Sequence, residues 1–213
     1  EVNLDNLEHN FLCIKSRLRP GTKVLVTVKA DAYGHGIVPV SRRLAESGVD
    51  YLGVASIDEG IKLRKARIKT PILVLGVVLK SDIDSIFSFA LTPTVCDYSL
   101  AAALDRKAAI LKKKVRLHIK VDTGMGRIGV SRHEALALAA RVSRLKSTVI
   151  EGIFTHFPFA DENRIFTLQQ IRSFCRLVDD LKKNGIDIPL VHTANSIGLI
   201  DYRDSHFSMV RPG

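Results

Sequence analysis

The sequence predicts an α/β fold, a (β/α)8 barrel of the TIM type, and three observations predict it. Eight short apolar runs punctuate the chain, segments of helical period fill the gaps between them, and polar or reactive residues gather where those runs end. With 213 residues, the chain can bury one full core and form such a barrel at the compact end of its range. A doubly wound open sheet is the alternative arrangement of the same alternation.

The elements follow in order. Leu4, Leu7, Phe11, Ile14 and Leu18 repeat at helical spacing before the first apolar run. Asp5 and Glu8 occupy first-turn positions that the helix dipole favours. The strand candidates are Lys23 to Lys29, Tyr51 to Ala55, Ile72 to Val78, Thr92 to Cys96, Val115 to Val121, Val149 to Thr155, Leu190 to Thr193 and Phe207 to Val210. Ser56 to Glu59 and Ser131 to Glu134 each have the capping-box spacing, in which serine and glutamate satisfy each other's orphan backbone donors. Leu168, Ile171, Phe174, Val178 and Leu181 form an apolar stripe that stops at Asn184-Gly185, a left-handed helix end.

Composition narrows the function classes. Apolar residues make up 46% of the chain, and no run approaches the roughly 18 consecutive apolar residues of a membrane-spanning helix. No charged, apolar, then small-residue leader opens the sequence, so a soluble, cytoplasmic protein is expected. The formal net charge is +10. Its lysines and arginines are spread over helical stretches and their ends, as at Lys62 to Lys69 and Lys112 to Lys114, without interleaved aromatics. That pattern reads as solvated helix surface and not as a nucleic-acid face. Cys13, Cys96 and Cys175 are odd in number, far apart and in apolar surroundings, which predicts buried free thiols and no disulfide or metal set. The chain opens at Glu1 and closes on Arg211-Pro212-Gly213 directly after an apolar stretch, so both ends are expected to be cut from something longer.

A barrel places reactive groups where strands run into the loops that follow them. Lys29 ends Val24-Leu25-Val26-Thr27-Val28, and in a buried barrel mouth its ammonium would be costly. The amine is then pushed toward the neutral form that attacks a carbonyl. Lys120, Asp122 and Arg127 cluster around the end of the fifth run, within Asp122-Thr123-Gly124-Met125-Gly126-Arg127-Ile128-Gly129. This stretch spells G-x-G-x-x-G, but the next helix is capped only at Ser131 and the nearest acid downstream, Glu151, lies inside an apolar run. A dinucleotide site is therefore not expected. His156 closes the sixth run, Asn195-Ser196 follow the seventh and Arg211 closes the eighth.

Val28-Lys29-Ala30-Asp31-Ala32-Tyr33-Gly34-His35-Gly36 resembles the cofactor-attachment signature of alanine racemases. Asp122 to Gly129, Glu151-Gly152-Ile153-Phe154-Thr155-His156-Phe157, His192-Thr193-Ala194-Asn195-Ser196 and Met209-Val210-Arg211-Pro212-Gly213 agree in order and spacing. The resemblance thus spans nearly the whole chain. It implies a pyridoxal 5'-phosphate (PLP)-dependent racemase acting on a small amino acid, L- and D-alanine, with D-alanine supplied for cell-wall synthesis. Residues 1–213 would be the N-terminal barrel of a two-domain homodimeric enzyme, with a C-terminal β domain absent from this chain. Lys29 would carry PLP as a Schiff base and serve as one acid/base group. The other would be a tyrosine on the opposite face, from the second domain of a partner subunit. Tyr33, Ser196 and backbone groups near Gly213 match phosphate-holding positions, with Asn195 in the same cradle. Arg211 matches the arginine facing the pyridine nitrogen, Arg127 the one approaching the substrate carboxylate, Lys120 a lysine that is often carbamylated, and His156 a histidine that hydrogen-bonds the catalytic tyrosine.

The chain departs from the family pattern at Pro158-Phe159, bulkier than usual, and at Ile197. Without the second domain, PLP binding with little or no racemisation is expected. A stand-alone PLP-binding barrel without catalysis is the competing reading. A mere carrier, however, needs neither Arg127 nor Lys120.

Overall fold

In the computed structural model, which describes residues 1–213, eight parallel strands close into a barrel in chain order. They are β1 (Lys23–Thr27), β2 (Tyr51–Val54), β3 (Ile72–Val74), β4 (Thr92–Val95), β5 (Val115–Lys120), β6 (Thr148–Phe154), β7 (Leu190–His192) and β8 (Met209–Val210). Leu25 pairs with Tyr51 at the first seam, and Lys23 pairs with Met209 where β8 returns to β1. Closure leaves no free sheet edge, so the backbone groups of every strand have a neighbour on both sides.

The helices are α1 (Leu4–Ser16), α2 (Lys29–Tyr33), α3 (Ile37–Glu46), α4 (Ile57–Lys65), α5 (Ile83–Ser88), α6 (Tyr98–Ile110), α7 (Arg132–Val142), α8 (Arg164–Lys183) and α9 (Ser196–Asp201). Their apolar stripes pack on the outside of the barrel and form one continuous core with it. In that core Leu44, Leu63, Leu104, Ala139 and Phe174 lie against Val24, Leu52, Ile72, Leu117 and Ile153. Inside the barrel, Leu25, Tyr51, Leu73, Leu190 and Met209 form a separate apolar cluster toward the N-terminal ends of the strands. No helix is long and apolar enough to cross a membrane.

Several elements differ from the sequence expectation for local reasons. β1 stops at Thr27, and Lys29 starts the single turn α2 instead of ending the strand. β3 stops at Val74. Just beyond it Gly76 lies so close to the next loop that a Cβ there would fall 2.2 Å from the Ala55 carbonyl oxygen. β8 begins only at Met209, because Phe207 has φ +48°, a left-handed conformation that a strand cannot contain.

Asp5 does sit in the first turn of α1, but Glu8 lies one turn further. There its carboxylate accepts from Arg43 Nη1 of α3 at 2.9 Å and from Oγ of Ser47, just past the end of that helix, at 2.7 Å. The Ser131–Glu134 capping box forms. At Ser56 only the serine half forms, because Glu59 spends its carboxylate on Ala30 N and Ala55 N. α8 ends as expected, with Gly185 at φ +72°. The three cysteines are free, as expected, but half-buried instead of fully buried.

Because the outer layer and the barrel share one core, a cavity in that layer should weaken the whole domain. Leu104, with no solvent exposure, tests this. Leu104→Ala should cost about 2–5 kcal/mol, read as a lower urea midpoint at unchanged m-value.

Candidate active site at the C-terminal mouth of the barrel

The mouth of the barrel holds a cavity of about 240 Å³ lined by Lys29, Tyr33, Lys120, Arg127, His156, Asn195, Ser196, Arg211 and Gly213. Nine of the residues singled out from the sequence therefore meet in one place, and Asp122, named with Lys120 and Arg127, is not in the lining. Thr27, Leu75, Ile128, Phe154 and Ile197 complete the wall. Four of the lining side chains are lysines or arginines and none carries a carboxylate.

Lys29 reaches the mouth through an unusual backbone. Ala30, Asp31, Ala32 and Tyr33 all have φ between 51° and 55°, a left-handed turn that costs roughly 1–2 kcal/mol per non-glycine residue. Neighbouring groups hold it. Glu59 Oε1 accepts from Ala30 N at 2.7 Å, while Glu59 Oε2 accepts from Ala55 N at 2.7 Å and ties the turn to the loop after β2. Asp31 Oδ1 accepts from Ile37 N at 3.0 Å and from Lys62 Nζ at 3.1 Å. Lys29 itself is only half-buried, so the full burial expected of it does not occur.

The buried lysine of the site is Lys120, the last residue of β5 and 3% exposed. Burial, reinforced by the charges of Arg211 and Arg127, lowers its pKa from 10.5 to about 7. Its ammonium stands 4.6 Å from the centre of the Phe154 ring, which also faces the Arg211 guanidinium at 5.3 Å and stacks on His192 at 4.7 Å. Phe154 is a wall residue that the sequence reading passed over as strand core.

Arg211 is buried beyond the end of β8. Its Nη1 donates to His192 Nδ1 at 2.8 Å, and its Nη2 donates to the carbonyls of Thr155 at 2.6 Å and Thr193 at 3.0 Å. All three partners are neutral, and burial lowers the guanidinium pKa to about 9. His156 follows β6, and burial, with Arg211, Lys120 and Arg127 nearby, takes its pKa from 6.5 to about 3. At neutral pH it is an uncharged imidazole.

Arg127 is exposed. Its loop is ordered by Asp122, whose carboxylate accepts from Gly124 N, Met125 N and Gly126 N at 2.8, 2.7 and 2.8 Å. The G-x-G-x-x-G stretch is thus a loop folded onto an aspartate, returning through the Val121–Val130 bridge before α7 starts. Asn195 caps α9, accepting from Gly198 N at 2.8 Å and donating to the Phe157 carbonyl at 3.4 Å. Ser196 Oγ and the backbone of Gly213 face each other, with Gly213 N donating to Ser196 Oγ at 3.2 Å. Gly213 must be a glycine here, since its φ is +153° and a Cβ would lie 2.7 Å from the Thr27 carbonyl oxygen. Of the bulkier family departures, Phe159 is exposed and Ile197 sits in the cavity wall.

Comparison with known proteins agrees with this geometry. The family model for the alanine racemase N-terminal domain matches residues 2–213. An alanine racemase of Halothermothrix orenii is 44% identical over 214 residues, covering 100% of this chain and 56% of its own length. One from Treponema denticola is 41% identical over 216 residues, at 100% and 57%. Among solved structures, the alanine racemase of Clostridium difficile 630 in complex with cycloserine has a TM-score of 0.96 at 37% identity, covering 100% of this chain and 59% of that one. The alanine racemase of Bacillus anthracis with bound L-Ala-P has a TM-score of 0.89 at 33% identity, at 100% and 55%. The chain therefore spans a little over half the length of the relatives it matches.

The depressed pKa values of Lys120 and His156 have a definite sign in the pH dependence of stability. Each base loses its proton more readily in the folded state, so the unfolded chain binds more protons between the two pKa values and stability rises with pH there. The destabilisation is complete below the folded value and gone above the unfolded one. For His156 the window runs from about 3 to 6.5, and for Lys120 from about 7 to 10.5. Urea titrations across pH should show His156→Gln flattening the acidic limb and Lys120→Met the alkaline limb, each by up to one proton.

Proposed function

Because the chain belongs to the alanine racemase family through its N-terminal domain, we propose that it is the cofactor-bearing barrel of a PLP-dependent racemase that interconverts L- and D-alanine. The observation that carries this reading is the cavity lined by two lysines, two arginines and no carboxylate. Such a site suits a ligand with two anionic groups, a phosphate and an amino-acid carboxylate, beside a lysine amine that can meet an aldehyde. A cavity built for a cationic or apolar ligand would not concentrate positive charge in this way. PLP, when bound, supplies an electron sink that acidifies the α-C–H bond of an amino acid joined to it.

The residues of the chain divide the remaining work. Tyr33, Ser196 Oγ and the backbone N–H of Gly213 would hold the phosphate, with Asn195 fixing Ser196 by capping α9. Arg211 would offer an N–H to the ring nitrogen. A guanidinium only donates hydrogen bonds, so that nitrogen stays an acceptor and the electron sink is moderated, which disfavours side reactions. Lys29 Nζ would remove or return the proton at the substrate Cα on one face. Arg127, held at the rim by the Asp122-ordered loop, would bind the substrate carboxylate and fix Cα against Lys29.

Lys120, once carbamylated, would steady Arg127. With a pKa of about 7, much of it is free amine at neutral pH, the form that adds carbon dioxide. The resulting carbamate would set a negative charge among Arg127, Arg211 and Lys29. By the family resemblance, the proton on the opposite face is handled by a tyrosine of a second domain from a partner subunit, with His156 tuning it. We extend the proposal to a homodimer with residues 1–213 as its cofactor domain, in the cytoplasm, where D-alanine would feed cell-wall synthesis.

Incubation with PLP followed by borohydride reduction tests the reading. A visible absorption band should appear and reduction should leave a permanent adduct on the Lys29 peptide, and both should vanish in Lys29→Ala. Absence of an adduct in the parent chain, or an undiminished one in Lys29→Ala, overturns the assignment. In the racemising enzyme, Arg127→Ala should lower kcat/KM for alanine by about 10²-fold, the scale of a lost positioning contact.

A further inference from the structure

The barrel interior contains buried ionisable groups that the proposed chemistry does not use. His118 on β5 and His192 on β7 are both without solvent exposure. His192 Nδ1 meets Arg211 Nη1 at 2.8 Å, and His192 Nε2 meets His118 Nδ1 at 2.9 Å. His118 Nε2, which has no hydrogen-bond partner, lies 3.5 Å from Glu151 Oε2 on β6. Glu151 lines a recess at the N-terminal face of the barrel, together with Lys23, Tyr51 and Leu190. A continuous file of polar groups thus runs from the cavity to the opposite end of the barrel.

Donor chemistry allows this file only one direction. A guanidinium cannot accept a hydrogen bond, so His192 Nδ1 must be unprotonated. A neutral His192 then carries its proton on Nε2 and donates to His118 Nδ1. His118 in turn carries its proton on Nε2, aimed at the Glu151 carboxylate. Burial, with Arg211 nearby, lowers the pKa of both imidazoles. Burial alone would raise the Glu151 pKa, but His118, Tyr51 and Arg116 bring it below the usual carboxylate range.

Two local features build this contact. The register of β5 against β6 jumps from Leu117–Ile150 to His118–Gly152, so Glu151 is the extra residue of a β-bulge. A bulge re-aims a side chain, and here it turns the carboxylate toward His118. Gly152 leaves the space that the imidazole fills, because a Cβ there would lie 2.3 Å from His118 Nδ1.

We propose that Glu151 is a positioning residue for Arg211, acting through His118 and His192 as a one-way hydrogen-bond relay that fixes both imidazole tautomers and the guanidinium. What Arg211 then meets in the cavity rests on the function proposed above. The direction of the relay does not, so the two can fail separately.

Side-chain ¹⁵N NMR of the histidines in this chain at neutral pH tests the relay without cofactor or activity. His118 and His192 should each show a single neutral tautomer with the proton on Nε2. A proton on Nδ1 of either overturns the proposal. In Glu151→Gln the carboxamide can donate as well as accept, so Nδ1-protonated forms should appear. Exchange of the Arg211 Nη protons should quicken by about three- to ten-fold, the range for one net hydrogen bond lost. Glu151→Asp should restore the single tautomer. Gly152→Ala, which displaces His118 and keeps the carboxylate, should reproduce the mixed tautomers. Unchanged tautomers and exchange in both Glu151→Gln and Gly152→Ala overturn the relay.

Discussion

The site depends on a buried guanidinium that has no carboxylate beside it. Arg211 is held in the throat of the barrel by two carbonyl oxygens and an imidazole nitrogen, all of them neutral, and no ion pair compensates it locally. Its charge therefore reaches its neighbours little screened. It disfavours the protonated forms of Lys120, His156, His118 and His192, adding in each case to burial. Burial and this one cation together keep His118, His156 and His192 neutral at physiological pH and bring the Lys120 pKa down to about 7.

That arrangement costs stability, and the cost has a use. A cavity whose cations lack counter-charges is pre-organised for an anion, and whatever binds the folded state alone stabilises it by mass action. The left-handed turn at residues 30–33 belongs to the same pattern of local strain kept at a functional place. Its clamp by Glu59 and Asp31 explains why four consecutive non-glycine residues persist in a conformation they would not choose. The outer layers, where 41 buried residues form one cluster spanning helices and strands, supply the stability that this strain consumes.

Much of this was legible in the sequence because barrel geometry and strand periodicity are strong signals. The eight apolar runs located the eight strands, and the residues following them located the mouth. What escaped had no local signature. Ala30, Asp31, Ala32 and Tyr33 carry no mark of left-handed backbone, since that conformation is held by partners about 30 residues away, the acceptor Glu59 on Ala30 N and the donor Lys62 on Asp31. Ser56–Glu59 has the spacing of a capping box, yet the glutamate found a stronger use across space. Phe207 delayed the start of β8 through a backbone angle that no side-chain pattern encodes.

The largest omission was the file of His192, His118 and Glu151. Strict alternation along β6 assigns Glu151 no special place, because a period of two assumes an unbroken ladder. The bulge breaks it, and only pairing with β5 reveals the break. Glu-Gly within an apolar strand was the available hint. A charged residue that must be buried, next to the one residue type that leaves a hole, marks a position where another strand's side chain intrudes. Here the intruder is His118, and the consequence runs the length of the barrel. A carboxylate at the N-terminal end sits in line with the uncompensated guanidinium at the mouth, with two neutral imidazoles between them as oriented dipoles. The barrel interior, ordinarily filled by layers of branched aliphatics, has in this chain given part of its packing volume to electrostatics.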